Sequence, residues 1–305
     1  MASLQDIKRR IKSITNIGKV TKAMQMVAAS KMRRAQEQAI ASRPYAAKSW
    51  EILTHLVEQA GDVSQLHPLL MQPKKVEKIA ILLITSDKGL AGGYNGNIIR
   101  KTTAFMQDND HQDAGLITIG RKGCDFMVRY GRNIVAEFSD IPARPSTLDI
   151  APISRIAIDG FLSGDYDEVY LAYTDFVNTL VQEPTLRLLL PIQPGQVDSK
   201  VMEKYLVKDT QPLSKGSVYT YEPDDPAKLL DTILPRLTEL QIYQAYLESR
   251  ASEESARMIA MRNATESANE LVGDLTLTYN RVRQESITSE MLDIAGGAEA
   301  LAQAA

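Results

Sequence analysis

The chain has 305 residues, 44% hydrophobic and 24% charged, an ordinary globular composition that excludes a disordered or low-complexity protein. A formal net charge of −3 does not by itself point to a nucleic-acid partner, and no apolar run approaches the ~20 residues that span a bilayer. The chain is therefore expected to be soluble, and its lone cysteine, Cys124, to be a small buried hydrophobe in a reducing compartment rather than half of a disulfide.

Residues 3–58 open the chain with helical spacing. Apolar side chains fall at Leu4, Ile7, Ile11, Ile14, Ile17, Val20, Met24 and Val27, with one short slip in register near Gly18 where a bend is expected. Ser3 suits the cap, Pro44 is expected to kink or interrupt the helix, and Trp50, Ile52, Leu53, Leu56 and Val57 mark its resumption. With no apolar signal segment ahead of it, this basic start reads as a structured helix rather than a transit peptide. Residues 1–34 carry nine lysines and arginines against one acid, Asp6, and lack the acids at i+4 that accompany solvated cations. Such repulsion calls for an acidic partner, either protein loops or nucleic acid. The stripe lacks the interleaved aromatics that stack bases, which favours protein.

A different pattern follows. Val76–Ile84 reads as a buried strand running into the glycine-rich turn Thr85–Asn95; helix is expected over 97–106, strand over 116–119, helix over 121–130 and strand over 134–138. Helix over 148–162 and strands over 168–174 and 186–192 complete an α/β unit with a largely parallel sheet. Residues 196–225 are proline-rich with mixed charge and read as a loop or hairpin.

The last region carries the strongest signal. From Leu237 a strict 3-4 alternation runs through residues 240, 244, 247, 251, 254, 258, 261, 265, 268, 272, 275, 279 and 282; eleven of these fourteen positions are apolar, and no proline follows Pro235. One long helix with a coiled-coil seam is expected. Two amphipathic helices with free seams are natural partners. The predicted architecture is a long antiparallel two-helix coiled coil formed by the N- and C-terminal helices (1–60 and 226–305), with an inserted α/β, Rossmann-like domain over 74–195.

Enzyme chemistry finds little support. His55, His67 and His111 are scattered outside any metal-ligand spacing and suit surface or capping roles, and no nucleophile-plus-base set is evident. The turn after the first strand resembles a phosphate cradle, but Gly89, Gly92, Gly93 and Gly96 match neither nucleotide-binding spacing; a tight turn needing positive φ explains them as well. Neither a cofactor nor a metal is expected.

Three motifs in chain order carry a family resemblance. Lys19–Lys31 (KVTKAMQMVAASK), preceded by Ile7–Ile11, is similar to the opening signature of F-type ATP synthase gamma subunits. Ser86–Asn95 (SDKGLAGGYN) resembles that family's strand-end turn, and Ile287–Ala298 (ITSEMLDIAGGA), preceded by Tyr279–Gln284, resembles its closing signature. The resemblance, to the bacterial type, implies a central rotor shaft that couples proton translocation through a membrane c-ring to ATP synthesis or hydrolysis at beta subunits. It implies no active site or cofactor of the chain's own. It implies alpha and beta subunits, epsilon and the c-ring as partners, and a peripheral place on the cytoplasmic face of the cell membrane. On that reading Arg9, Lys12, Lys31, Arg33, Arg34 and Lys88 are electrostatic contacts to beta, Arg283, Gln284 and Thr288 meet its catch loop, and Met24 and Arg257 affect coupling. Seam packing is the alternative for Met24 and a solvent-exposed salt bridge for Arg257. The lone Cys124 leaves no cysteine pair for thiol regulation, and 198–208 resembles a family-variable insertion. The class weighed against this one is a coiled-coil nucleic-acid-binding protein.

Overall fold

The computed structural model describes residues 4–60, 67–73, 75–108, 113–193 and 226–304. Ser3, His111 and the segment 196–225 lie outside these, as does the side chain of His55. The elements are α1 (Leu4–Ala60), a 3-10 turn (Pro68–Leu70), β1 (Ile79–Ile84), α2 (Tyr94–Asp108), β2 (Gly115–Ile119), α3 (Arg121–Arg129), β3 (Ile134–Phe138), α4 (Thr147–Leu162), β4 (Glu168–Phe176), β5 (Gln182–Leu190) and α5 (Pro226–Ala304). They fall into two compact units, one built from the chain up to Ala28 and from Met258 onward, the other from Ala29–Arg257.

The first unit is a pair of antiparallel helices. Thr21 and Thr265 share a hydroxyl–hydroxyl hydrogen bond of 2.8 Å, and a Cβ placed on Gly18 would stand 3.5 Å from that of Ala268. Every expected α5 seam position in this unit, from Met258 to Val282, is buried or half-buried. On α1 the expected slip does not occur. Ile7, Gly18 and Ala28 are buried and Leu4, Ile11, Ile14, Thr21 and Gln25 half-buried, together an unbroken 3-4 alternation, whereas Ile17, Val20 and Val27 are each more than half exposed. Hydrophobicity and burial diverge here: the seam narrows onto glycine, threonine and alanine, which lets the backbones approach, while Ile17, Val20 and Val27 face outward. Since Gly18 is helical and a methyl there meets Ala268 only at ordinary contact distance, Gly18→Ala should stabilise this helix pair by about 0.5–1 kcal/mol. Thermal unfolding followed by circular dichroism checks the sign; a lower melting temperature would contradict the packing.

In the second unit the strands lie in the order β3-β2-β1-β4-β5, parallel except for β5, which runs antiparallel to β4. β1 and β2 are buried at every position, as interior parallel strands must be, and β3 alternates at the edge. Alternate residues of β1 point to opposite faces. Ile79, Ile81 and Leu83 join Ile98, Ile99 and Met106 of α2 and Met127 of α3. Ala80, Leu82 and Ile84 join Ile150, Ile153 and Ala157 of α4, Leu53 of α1, and Leu230, Leu234, Leu237 and Tyr246 of α5. Cys124 is buried, and loss of solvent pushes its thiol pKa up.

Several boundaries differ from expectation. Pro44 lies within an uninterrupted α1. β1 begins at Ile79, and α2 begins three residues before the expected Asn97. β5 starts at Gln182 rather than Leu186 and contains Pro184, which an edge strand tolerates because the N–H on its outer side needs no partner. α5 starts with Pro226 at its first position, where a missing N–H costs nothing.

His67 staples the approach to the sheet. Its Nδ1 accepts from the Leu69 N–H at 3.0 Å and caps the 3-10 turn, while Nε2 lies 3.1 Å from the Asp231 carboxylate. The neutral ring satisfies both contacts, and protonation would forfeit the first. Burial accordingly lowers the His67 pKa from its ordinary 6.5, with Asp231 opposing the shift. Below about pH 6.5 the unfolded chain therefore takes up the proton first, and stability falls as pH drops further. Above that value both states are neutral and this contribution is complete. His67→Gln should flatten the slope of melting temperature against pH between about 5 and 6.5; an unchanged slope would show that the ring does not titrate in this way.

Candidate functional site

Doubly wound sheets place ligands in the crevice outside the carboxyl ends of the strands where the strand order reverses. Here the chain leaves β1 for β2 and β3 on one side and returns as β4 on the other, so the crevice lies between β1 and β4. The residues around it turn their polar groups onto the protein itself. Asp87 Oδ1 accepts from Arg121 N at 3.2 Å, the Ser86 carbonyl from Lys122 N at 3.1 Å, and Thr85 Oγ1 from Gly123 N at 2.9 Å. The first three amides of α3, which could otherwise cradle a phosphate, are thereby consumed. Gly120 and Gly123 permit this approach: a Cβ on either would stand within 3 Å of Thr85 atoms.

The crevice itself holds α5. The Tyr94 hydroxyl, at the start of α2, lies 2.7 Å from Ser249 Oγ, and Thr174 N of β4 donates to the same oxygen at 3.4 Å. Ser252 Oγ donates to the Thr174 carbonyl at 3.1 Å and Ser255 Oγ to that of Thr179 at 2.7 Å. The fold's customary ligand position is filled in cis. Among the described residues no cluster of His, Cys, Asp and Glu could hold a metal ion, and no helix is long and apolar enough to cross a membrane.

Next to these serines lies a buried charged cluster. Arg257 is 8% exposed, with Nη2 2.6 Å from Glu253 and Nη1 2.8 Å from Glu254. Arg250 reaches Glu253 at 3.3 Å and Lys31 reaches Glu254 at 3.8 Å. Burial works against the Arg257 charge, but the two carboxylates outweigh it and hold its pKa above the ordinary guanidinium value. The expected alternative for Arg257, a solvent-exposed salt bridge, is thus corrected: the pair is buried because α5 is enclosed on all sides from Gln244 to Ser255, with only Arg250 half-exposed. Removing Arg257 takes away the shortest contact of each buried carboxylate and leaves Glu253 to Arg250 and Glu254 to the more distant Lys31. Arg257→Ala should destabilise the second unit by about 3–5 kcal/mol, measured by denaturant unfolding; a loss below ~1 kcal/mol would mean that solvent reaches the cluster.

The remaining expected contacts are distributed between the two units. In the first, Arg9 pairs with Asp6 at 2.5 Å, Lys12 is exposed, and Met24 is half-buried beside the seam. Arg283, Gln284 and Thr288 are exposed on α5, with Thr288 Oγ1 donating to the Gln284 carbonyl at 2.9 Å. In the same stretch Ile287, Met291, Leu292 and Ile294 are exposed as well. In the second unit Arg33 finds Glu37 at i+4, 3.1 Å away, and Arg34 and Lys88 are exposed. The basic stripe therefore has some of the compensating acids that it had been expected to lack, since Glu37 falls just past the counted segment. Exposed pairs of this kind contribute about 0–1 kcal/mol and leave the cations available. Lys12 and Arg34 make no ion pair among the described residues. Lys88 stands in a turn where positive φ falls on Leu90 (65°) and Gly92 (57°), and not on the other glycines of the motif. Among the described residues the structure links Lys31 to Arg257, through Glu254, and Thr288 to Gln284.

Sequence reasoning missed Tyr94, Ser249, Ser252 and Ser255. Their signal was present: three serines at three-residue spacing within the polar stretch Glu248–Arg257, in the middle of a seam-forming helix. It also missed an open groove of about 790 Å³ beside Gly18, lined by Lys19, Lys22, Gln25, Met26, Arg262 and others.

The described residues thus form a helix pair and a doubly wound domain whose customary ligand crevice is occupied by side chains of its own helix. The comparisons with known proteins specify the class. The family model described as ATP synthase matches residues 3–301. The ATP synthase gamma chain of Dehalococcoides mccartyi (strain CBDB1) is 48% identical over 304 residues, covering 99% of this chain and all of that one; that of Herpetosiphon aurantiacus is 45% identical with the same coverage. Among solved structures, the central stalk and c-ring of the Tetrahymena thermophila mitochondrial ATP synthase contain a chain 26% identical, TM-score 0.59, over 80% of this chain and 99% of that one. A chain from the Euglena gracilis mitochondrial enzyme shares the fold at TM-score 0.64 and 17% identity, over 98% of this chain and 94% of that one. The chain belongs to the ATP synthase gamma chain family. Neither the fold nor these likenesses support the nucleic-acid-binding alternative.

Proposed function

We propose that this chain is the rotating central shaft of a proton-translocating ATP synthase, and that it couples movement of a membrane c-ring to nucleotide turnover in a surrounding ring of alpha and beta subunits. The observation that carries the reading is full-length identity of 42–48% to gamma chains, set beside a fold whose ligand crevice is occupied by its own helix. The chain has no active site of its own; catalysis resides in beta, and the shaft drives each beta site in turn through its conformational states. The helices over 1–60 and 226–305 form the shaft, and the domain over 74–195 carries the epsilon and c-ring contacts. The protein is peripheral, on the cytoplasmic face of the cell membrane, and held there by its partners.

Electrostatics suits a shaft that must push without binding fast. Charges attract over several ångströms and shift partner without the shape-locking of apolar packing. Arg9, Lys12, Lys31, Arg33, Arg34 and Lys88 are exposed and act on acidic beta loops in this way. Arg283, Gln284 and Thr288 supply exposed polar contacts to the catch loop. Met24, half-buried at the seam edge, and Arg257, through its buried cluster, act on coupling by setting helix geometry. Charge reversal at Arg33 and Arg34 should lower ATP synthesis in membrane vesicles by about an order of magnitude while the complex still assembles. Unchanged synthesis would remove these two residues from the contact surface, and failure of the chain to copurify with alpha and beta subunits would overturn the shaft reading itself.

A further inference from the structure

We propose that the seating of α5 in the crevice between β1 and β4 is the joint that carries torque between the α/β domain and the helix, with Tyr94, Ser249 and Ser252 as its key. This rests on the shaft reading and adds the place where load crosses from one element to the other. β4 is nine residues long, but its pairing with β1 ends at Leu83 opposite Ala172. Past that point no strand among the described residues lies beside the edge of β4 that faced β1. Side chains of α5 take over the ladder there: Ser249 accepts from the Thr174 N–H and Ser252 donates to the Thr174 carbonyl. Ser255 continues the row at the carbonyl of Thr179, and Tyr94 ties Ser249 to the start of α2.

All three serines are fully buried. A helix enclosed on every side is ordinarily apolar, yet this stretch also carries Glu253, Glu254 and Arg257. Polarity here is explained by direction rather than by strength. Apolar contact is non-directional and tolerates small slips, whereas hydrogen bonds to a backbone N–H and C=O have one register; any rotation or slide of α5 leaves buried donors and acceptors unpaired. The joint thus resembles a ligand site occupied by the protein's own helix, and it resists twist because its bonds are specific to one angle.

The test uses the complete complex in vesicles. Ser249→Ala with Ser252→Ala should leave ATP hydrolysis within about twofold of the unmodified complex but reduce protons pumped per ATP by about threefold or more, since the loss of three directional bonds lets the joint slip under load. Ile158→Val, a comparable core trimming in α4, should leave that ratio unchanged. An unchanged ratio in the serine variant overturns the proposal. Should that variant fail to assemble, Tyr94→Phe, which removes one hydroxyl, decides: a reduced ratio supports the joint and an unmodified ratio overturns it. Failure of the shaft reading has a different signature, namely pumping that persists in a complex lacking the chain.

Discussion

The structure depends on one act of burial, the enclosure of α5 by the sheet and α1 within the second unit. Leu230, Leu234, Leu237, Ile242 and Tyr246 supply the apolar part, packed against α4 and the β1 face. Ser249, Ser252 and Ser255 supply the directional part, bonded to β4 and the loop after it. The ion cluster of Arg250, Glu253, Glu254 and Arg257 then neutralises the remaining charge, with Lys31 added from α1. Burial of paired charges is weak evidence for stability, but a shift that separated them would leave an uncompensated charge in the interior. A helix held in this way has a defined azimuth, and a defined azimuth is what any device that transmits rotation requires.

The coiled-coil pair shows a complementary economy. Gly18 and Thr21 on α1 face Ala268 and Thr265 on α5, so the seam is close rather than greasy. The large residues left out of it, Ile17, Val20, Met26 and Val27, are exposed, as are Leu271 and Leu277 on α5. Of these only Met26 lines the groove beside Gly18, together with the cations Lys19, Lys22 and Arg262.

Much of this was legible in the sequence. The α5 seam was legible from Met258 to Val282 because its spacing is strict, whereas from Gln244 to Ser255 the helix is enclosed on all sides and no one-sided seam exists; the order of strands and helices followed from apolar runs with turn punctuation. The α1 seam was misread at Ile17 and Val20 because side-chain hydrophobicity was taken as a proxy for burial, which fails where glycine and threonine build the interface. The start of β5 was placed late because Gln182–Thr185 is polar and contains Pro184, features that only an edge position makes acceptable. The crevice contacts could not be read at all: they depend on β4 outrunning β1, a matter of three-dimensional register that spacing does not encode. Recognition of the family came from motifs, and the contact residues carried over with it mostly stand exposed, apart from Met24 and Arg257.

Rotation is the central claim, and a probe on the α/β domain tests it directly. Tyr130 is 65% exposed and Cys124 is buried, so Tyr130→Cys gives this chain a single exposed thiol for a rotation marker. With the alpha–beta ring immobilised and ATP supplied, the marker should turn in one direction, in three equal steps per revolution. A marker that stays fixed while the same complex hydrolyses ATP at its full rate would contradict the account.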